Sequence, residues 1–396
     1  MSKTDFRTAS IVTACGAALL AALPVAGGTA AAADLPITKA PPPVADPGSL
    51  FWAEIDYLAW TVKGDRPPPL VTTSPAGTPV FAAGVLGAPG TTVLFGDSAV
   101  NDGWRSGARL QAGYWFDPHH DKGVEVSFFD LQDASTSFAT DSNAHPILGQ
   151  PNFNVLTNLQ EAALVGFPGF ITGAVAVNES SRLLGAGALY RQDIGSWAGQ
   201  RISALIGYRY LHSSDNLSIP VAVNFAGGGL AGALSDTDSF SASSNFHGVD
   251  LGLAGEWRQG LWTLDWRGKV ALGANFNSAQ INGTTTADFG AGVVTVPGGL
   301  LALSSNIGSY SQTRFAAVPE LALKAGYQIA PRWQITAGYD LLYWTGVQRA
   351  GGLIDASINP NLLPLPVPGG PQRPQPTFNT SPLLAQGFSV GVRYGF

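Results

Sequence analysis

From Leu50 onward the chain keeps a two-residue rhythm. Phe51, Ala53, Ile55 and Tyr57 alternate with Glu54 and Asp56 in the first such stretch. Successive side chains of a strand point to opposite faces, so the segment has one apolar and one ionic face. The pattern predicts ten strands: 50–60, 104–116, 122–131, 182–192, 200–212, 246–258, 261–276, 315–329, 332–344 and 388–396. The clearest sets Trp262, Leu264, Trp266, Val270, Leu272 and Phe276 against Asp265, Arg267, Lys269 and Asn275. The last sets Phe388, Val390, Val392, Tyr394 and Phe396 against Ser389, Gly391, Arg393 and Gly395.

The connections alternate too. Segments 61–103, 132–181, 213–245, 277–314 and 345–385 are long; 117–121, 193–199, 259–260 and 330–331 are short. A transmembrane β-barrel sorts its loops this way, with short periplasmic turns and long external loops. A soluble sandwich has no reason to. Trp104, Trp257, Trp262, Trp333 and Trp344 fall near strand ends, as interfacial girdles require. Unpaired backbone groups are costly in hydrocarbon, so such a sheet must close. The expectation is an all-β fold: one antiparallel up-and-down barrel over residues 49–396. A further pair of strands inside 132–181 or 213–245 would make twelve. Residues 161–175 suit a short helix or plug.

Composition agrees. Only 12% of residues are charged and 49 are Gly, against roughly 25% charged in a soluble domain. Beyond the N-terminus no apolar run reaches the roughly 18 residues of a spanning helix. Residues 1–33 read as a signal peptide, with Lys3 and Arg7, an apolar stretch over 11–23, and Ala31 and Ala33 at the cleavage site. Residues 34–48 are a proline-rich linker. The single Cys15 lies in the signal segment. The residues around it resemble a lipoprotein box, but apolar sequence continues past it, which favours an apolar residue lost on export. The exported chain then has no thiol chemistry. A net charge of −6 argues against a nucleic-acid partner.

A closing strand with Tyr394 and a terminal Phe396 resembles the assembly signal of bacterial outer-membrane barrels. That implies membrane lipid and the barrel-assembly machinery as partners. The segments "LFWAEIDYLAWTVKG", "GARLQAGYWFD", "GVEVSFFDL", "NFHGVDLGLAGEWRQGLWTLDWRGKVALG", "RFAAVPELALKAGYQIAPRWQITAGYDLLYWTGVQRA" and "AQGFSVGVRYGF" resemble the BBP7 family of outer-membrane β-barrel porins. The resemblance implies architecture and location more firmly than transport, and brings no catalytic residues or cofactor.

The face opposite the apolar one carries Glu54, Asp56, Arg105, Arg109, Glu125, Arg191, Arg201, Arg209, Asp250, Glu256, Asp265, Arg267, Lys269, Glu320, Lys324, Asp340 and Arg393. Charges facing lipid are expensive, so these are expected to line the lumen. One reading makes them walls of a water channel, with Arg105, Arg109, Arg201 and Arg209 as a cationic cluster favouring anions. The other has opposite signs pairing across the lumen and filling it. Ten strands sit near the filled end of the range: eight hold only side chains, and sixteen or more enclose water.

The leading functional expectation is passive diffusion of small hydrophilic solutes across a Gram-negative outer membrane. The alternative is a non-conducting, surface-structural or adhesive barrel acting through its external loops. A protease would need a base oriented by a carboxylate. His212 and Asp215, with Asp340 or Asp355, are the residues considered for it, but a polar rim role suits His212 better. His119 and His120 fall in a periplasmic turn, and His247 at an interface. Residues 84–92 look like a phosphate loop but lack Lys and a strand–helix setting. No metal-ligand spacing occurs. Asn178, Asn216 and Asn282 fit a glycosylation sequon, which means little for a bacterial exported chain. No catalytic, metal or cofactor residues are expected.

Overall fold

Strands follow one another in chain order until the last pairs with the first. The computed structural model describes residues 49–226, 231–290, 292–364 and 369–396; the expected signal peptide and linker, 1–48, lie outside them. The strands are β1 (Phe51–Val62), β2 (Val71–Thr73), β3 (Thr92–Phe95), β4 (Gly103–Trp115), β5 (Lys122–Asp141), β6 (Leu148–Asn154), β7 (Leu159–Gly166) and β8 (Ile171–Trp197). They continue as β9 (Gln200–Phe225), β10 (Gly232–Gln259), β11 (Trp262–Asp288), β12 (Val293–Pro297), β13 (Gly308–Ala330), β14 (Trp333–Gln348), β15 (Ser357–Ile358) and β16 (Thr380–Gly395).

Ten of them form the ring β1-β4-β5-β8-β9-β10-β11-β13-β14-β16, all antiparallel. β16 closes it against β1, from Trp52↔Gly395 to Val62↔Ala385. No further pair enters the ring among the described residues, so the barrel has ten strands and not twelve. The short β12 hangs on β11. β15, β6, β2 and β3 form a small external sheet, with β7 on β6. Residues 161–175 are therefore not a helix: they finish β7 and begin β8.

Strand length departs most from expectation. β9, β10 and β11 have 26, 28 and 27 residues, whereas a tilted strand crosses a bilayer in about 9–11. More than half of each must stand outside the membrane. Segment 213–245 is thus not a loop but the top of the β9–β10 hairpin, paired through Gly232↔Phe225.

The two-residue rhythm persists there with its faces exchanged. In lower β9, Ile206 and Tyr208 face outward while Ser203 and Arg209 are buried. Above Leu211, the outward residues are His212, Ser214, Asn216 and Ser218, and the buried ones Leu217, Ile219, Val221 and Val223. β10 does the same: Val249, Leu251 and Leu253 are exposed below, while Phe240, Ala242 and Phe246 are buried above. Apolar side chains point out where the solvent is lipid and in where it is water.

This marks the membrane band. At its lower edge, rings pack tilted or edge-on beside one another: Trp262 with Tyr327 at 4.8 Å, Trp333 with Tyr394 at 4.7 Å, Tyr394 with Phe396 at 4.7 Å and Phe396 with Phe51 at 5.1 Å. At its upper edge Phe388 lies between Trp104 (6.4 Å) and Tyr339 (5.2 Å).

Inside the external half is a core. Val175, Val177, Leu217, Ile219, Val221, Phe240 and Ile281 of the wall pack with Leu70, Val71, Leu148, Val165, Leu300 and Leu301 of the loops. Burying each large side chain contributes about 1.5–3 kcal/mol. Buried Asp238 fixes one loop by accepting from the N–H groups of Leu300 (3.2 Å), Leu301 (2.8 Å) and Ala302 (3.0 Å).

Candidate functional site

The lumen is layered, and each layer follows from which inward positions the strands supply. At the periplasmic mouth the charges are partly wet. Arg201 pairs with Asp193 (3.3 Å) and donates to His119 O (2.8 Å), with 43% of its side chain exposed. Glu256 pairs with Arg258 at 3.0 Å. Arg191 lies over Trp115 (5.2 Å) and donates to Ser203 Oγ (3.0 Å).

Above it the ionic layer is paired and unevenly buried: the Glu54 and Asp56 side chains are at most 1% exposed, but Arg393 is 29%, Asp265 26%, Arg267 21% and Glu320 17% exposed. Glu54 accepts from Lys324 Nζ (2.5 Å), Arg393 Nε (2.9 Å) and Thr336 Oγ1 (3.0 Å). Asp56 accepts from Arg109 Nε (2.8 Å) and Lys324 Nζ (3.0 Å), and Arg109 also donates to Asp340 Oδ1 (2.8 Å). Glu125 takes both Nη1 (2.5 Å) and Nη2 (2.9 Å) of Arg267. Lys269 bonds Asp250 (3.0 Å) and lies 3.4 Å from Glu320, which also pairs with Arg209. Arg393 reaches Asp265 at 3.6 Å. The seven acids Glu54, Asp56, Glu125, Asp250, Asp265, Glu320 and Asp340 face the six bases Arg109, Arg209, Arg267, Lys269, Lys324 and Arg393, with Arg191 at the mouth below. Glu54, Asp56, Asp250 and Asp340 are at most 4% exposed, whereas Asp265, Arg267, Glu320 and Arg393 keep 17–29% of their side chains accessible.

The next layer is apolar. Leu58, Trp60, Phe129, Leu131, Leu183, Leu211, Phe246, Val318, Leu342, Trp344 and Leu383 form one cluster, none more than 4% exposed. They come from β1, β5, β8, β9, β10, β13, β14 and β16, all around the ring. Side chains from opposite walls that exclude water from one another leave no axial passage at that height.

A second ionic group lies above it. Arg349 pairs with Asp215 at 2.9 Å and donates to Lys63 O at 3.0 Å. Arg105 donates to Ser181 O and Asn101 O, both at 3.2 Å. Asp65 accepts from Gly351 N at 2.6 Å. Glu179 is buried beside them, and its carboxyl is pushed up to about 8, by burial first and then by the charges of Asp65 and Asp215. This group is extramembrane, since Asn178, Ser180 and Arg182 face outward on the same strand.

The structure therefore separates the four arginines read as a cationic cluster. Arg201 is at the mouth, Arg109 and Arg209 are each paired with acids, and Arg105 belongs to the upper group. The expected protease constellation is not assembled either. His212 faces outward and meets Asn245 Oδ1 through Nδ1 at 2.9 Å, while Asp215 is buried inside. Three residues apart on a strand means opposite faces. Asp340 is held by Arg109, and Asp355 by Arg373 at 2.8 Å. His247 meets Tyr208 Oη at 2.5 Å on the outer face. His120 stacks on Trp115 at 5.0 Å. Among the described residues no group of His, Cys, Asp or Glu is arranged to hold a metal. Sequence reasoning missed Arg349, Glu179 and Asp65. They sit in stretches read as loops, where no face can be assigned.

The sequence of residues 52–396 matches the family described as Putative beta barrel porin-7 (BBP7). No curated protein matches. Among solved structures the chain is similar to the outer membrane protease OmpT from Escherichia coli, at TM-score 0.39 and 9% identity over 87% of this chain and 96% of that one. It is also similar to a Pseudomonas aeruginosa FadL homologue, at TM-score 0.21 and 9% identity over 87% and 90%. At TM-scores below 0.5 these likenesses say nothing of function. The family match covers nearly all of the ring, its ionic lumen and its lipid-facing girdles: the chain belongs to the BBP7 family and is a bacterial outer-membrane β-barrel protein.

Proposed function

We propose that this barrel keeps its axis sealed to water and works through its external half, rather than as an open pore for small hydrophilic solutes. The apolar layer of Leu58, Phe129, Leu183, Leu211, Phe246 and Trp344 carries the reading. A hydrophilic solute would have to shed its water there with little besides the Trp60 and Trp344 indole N–H groups and Asn275 to replace it, which costs several kcal/mol. The paired layer below, where opposite signs lie close together, supports the same view. We assign no catalytic role, because the carboxylates stand apart from the histidines. Passive diffusion would require this layer to part.

Liposome swelling tests it. Vesicles carrying the folded barrel should swell in small sugars no faster than empty vesicles. Swelling at a rate that scales inversely with sugar size would contradict a sealed axis and restore the diffusion reading.

A further inference from the structure

The wall's ladder stops early in two places. β4 and β5 pair only up to Gly107↔Leu131, although β4 begins at Gly103 and β5 runs on to Asp141, and the unpaired stretch there is polar, with Arg105, Ser106, Gln132 and Asp133. The other lies between β13 and β14, where the unpaired stretch is apolar. β13 and β14 pair from Ala330↔Trp333 up to Glu320↔Leu342 and no further, although β13 runs on to Gly308 and β14 to Gln348. β14 keeps its other partner, β16, through Trp344, then bulges before Val347 with Gly346 at φ +72°. The bulge carries it inward. Asn275 Nδ2 of β11 donates to Thr345 O (3.1 Å) and Gly346 O (2.9 Å), and Gln348 N donates to Ser244 Oγ of β10 (2.9 Å). The top of β14 thus passes inside β13, and the wall overlaps itself like a lapped seam.

Hydrocarbon tolerates no unpaired amide, and the seam's residues answer that. Pro319, opposite Tyr343 had the register continued, has no N–H to leave open. Ala317 would face Thr345. There the Ala317 N–H donates to Thr345 Oγ1 (2.9 Å), and that hydroxyl donates to Ala317 O (3.2 Å). One side chain replaces a stretch of backbone ladder.

Both sides of the seam are apolar. Phe315, 74% exposed, and Tyr343 stand outside it in the upper membrane band. Behind it lie Ala316, Val318, Leu342 and Trp344, with Phe246 edge-on to Trp344 at 6.3 Å. We infer that the β13–β14 seam is a lateral portal, through which a small apolar or amphipathic molecule passes between the outer leaflet and the apolar layer of the lumen. The inference rests on the sealed-axis reading and names the class of molecule such a barrel exchanges. The polar groups on this path, Thr345 Oγ1 and the Asn275 amide, are engaged with protein partners, and its other walls are apolar. Closure by a single hydroxyl is weaker than the backbone ladder it replaces.

The test uses Val318→Cys and, separately, Ala316→Cys, each with Cys15→Ser, folded in liposomes and checked by the heat-dependent gel mobility of a closed barrel. Pyrene maleimide, which partitions into lipid, should modify both positions faster than a charged, membrane-impermeant maleimide. Thr345→Val should raise the pyrene rate about tenfold, and Thr345→Ser, which keeps the hydroxyl, should leave it within about twofold. A pyrene rate unchanged by Thr345→Val, or no reaction at either position, would overturn the portal and leave the sealed axis standing. Fast modification by the charged reagent in the otherwise native wall would overturn the sealed axis, and the portal with it.

Discussion

Arg109 shows why the lumen charges hold the barrel together rather than conduct. Its guanidinium bridges Asp56 and Asp340, both at 2.8 Å, with 10% of its side chain exposed. Removing one partner of a buried ion pair strands the other charge. Arg109→Met should therefore lower unfolding stability by about 3–5 kcal/mol, read from urea transitions of the refolded barrel. A loss within about 0.5 kcal/mol, typical of a surface change, would mean that Asp56 and Asp340 have water after all. The inward direction of these side chains was legible in the sequence, because Glu54, Asp56 and Arg109 alternate with apolar neighbours. Their pairing was not. Arg109 and Asp340 are 231 positions apart, and only ring closure decides which strands face each other.

At the scale of the element, the hairpin of β9 and β10 carries the lesson. Its lower half was legible because the apolar phase matched a lipid face. Its upper half was read as a loop because Ser214, Asn216 and Ser218 occupy the outward positions. The alternation had not ended; the solvent outside the strand had changed. This external half holds acids in unusual states. Burial pushes Asp238 up to about 6, and burial with the neighbouring Asp238 charge pushes Asp236 up to about 7. Glu179 is raised to about 8. A carboxyl whose folded pKa is raised contributes stability below its ordinary pKa and loses it as pH rises through the folded value. The external half should therefore loosen from about pH 5 to above 8. Amide exchange of Leu217, Ile219 and Phe240, corrected for intrinsic rate, should show weaker protection at pH 8.5 than at 5.5. Glu179→Gln should shrink the difference. Equal protection at both pH values in the native chain would contradict the assignment.

The whole molecule is a membrane ring below and a water-borne, filled β-structure above, and the apolar seam between β13 and β14 lies where the two regimes meet. Ring closure and most of the girdles were readable from rhythm and loop length, and the strand number only as ten or twelve; Trp344, read as a girdle residue, is buried in the lumen. The seam left one trace, Pro319 in the middle of an otherwise regular strand, which marks an edge. The interior seal was not readable, since an inward Leu58 or Leu183 looks like any strand residue until the opposite wall is known. Planar-bilayer recording of the refolded, heat-modifiable barrel tests that seal most directly. Membranes containing the inserted protein should carry no more current than bare lipid across the voltage range they survive. Reproducible steps of current from the native chain would show a water path past Phe246 and Trp344 and contradict the account.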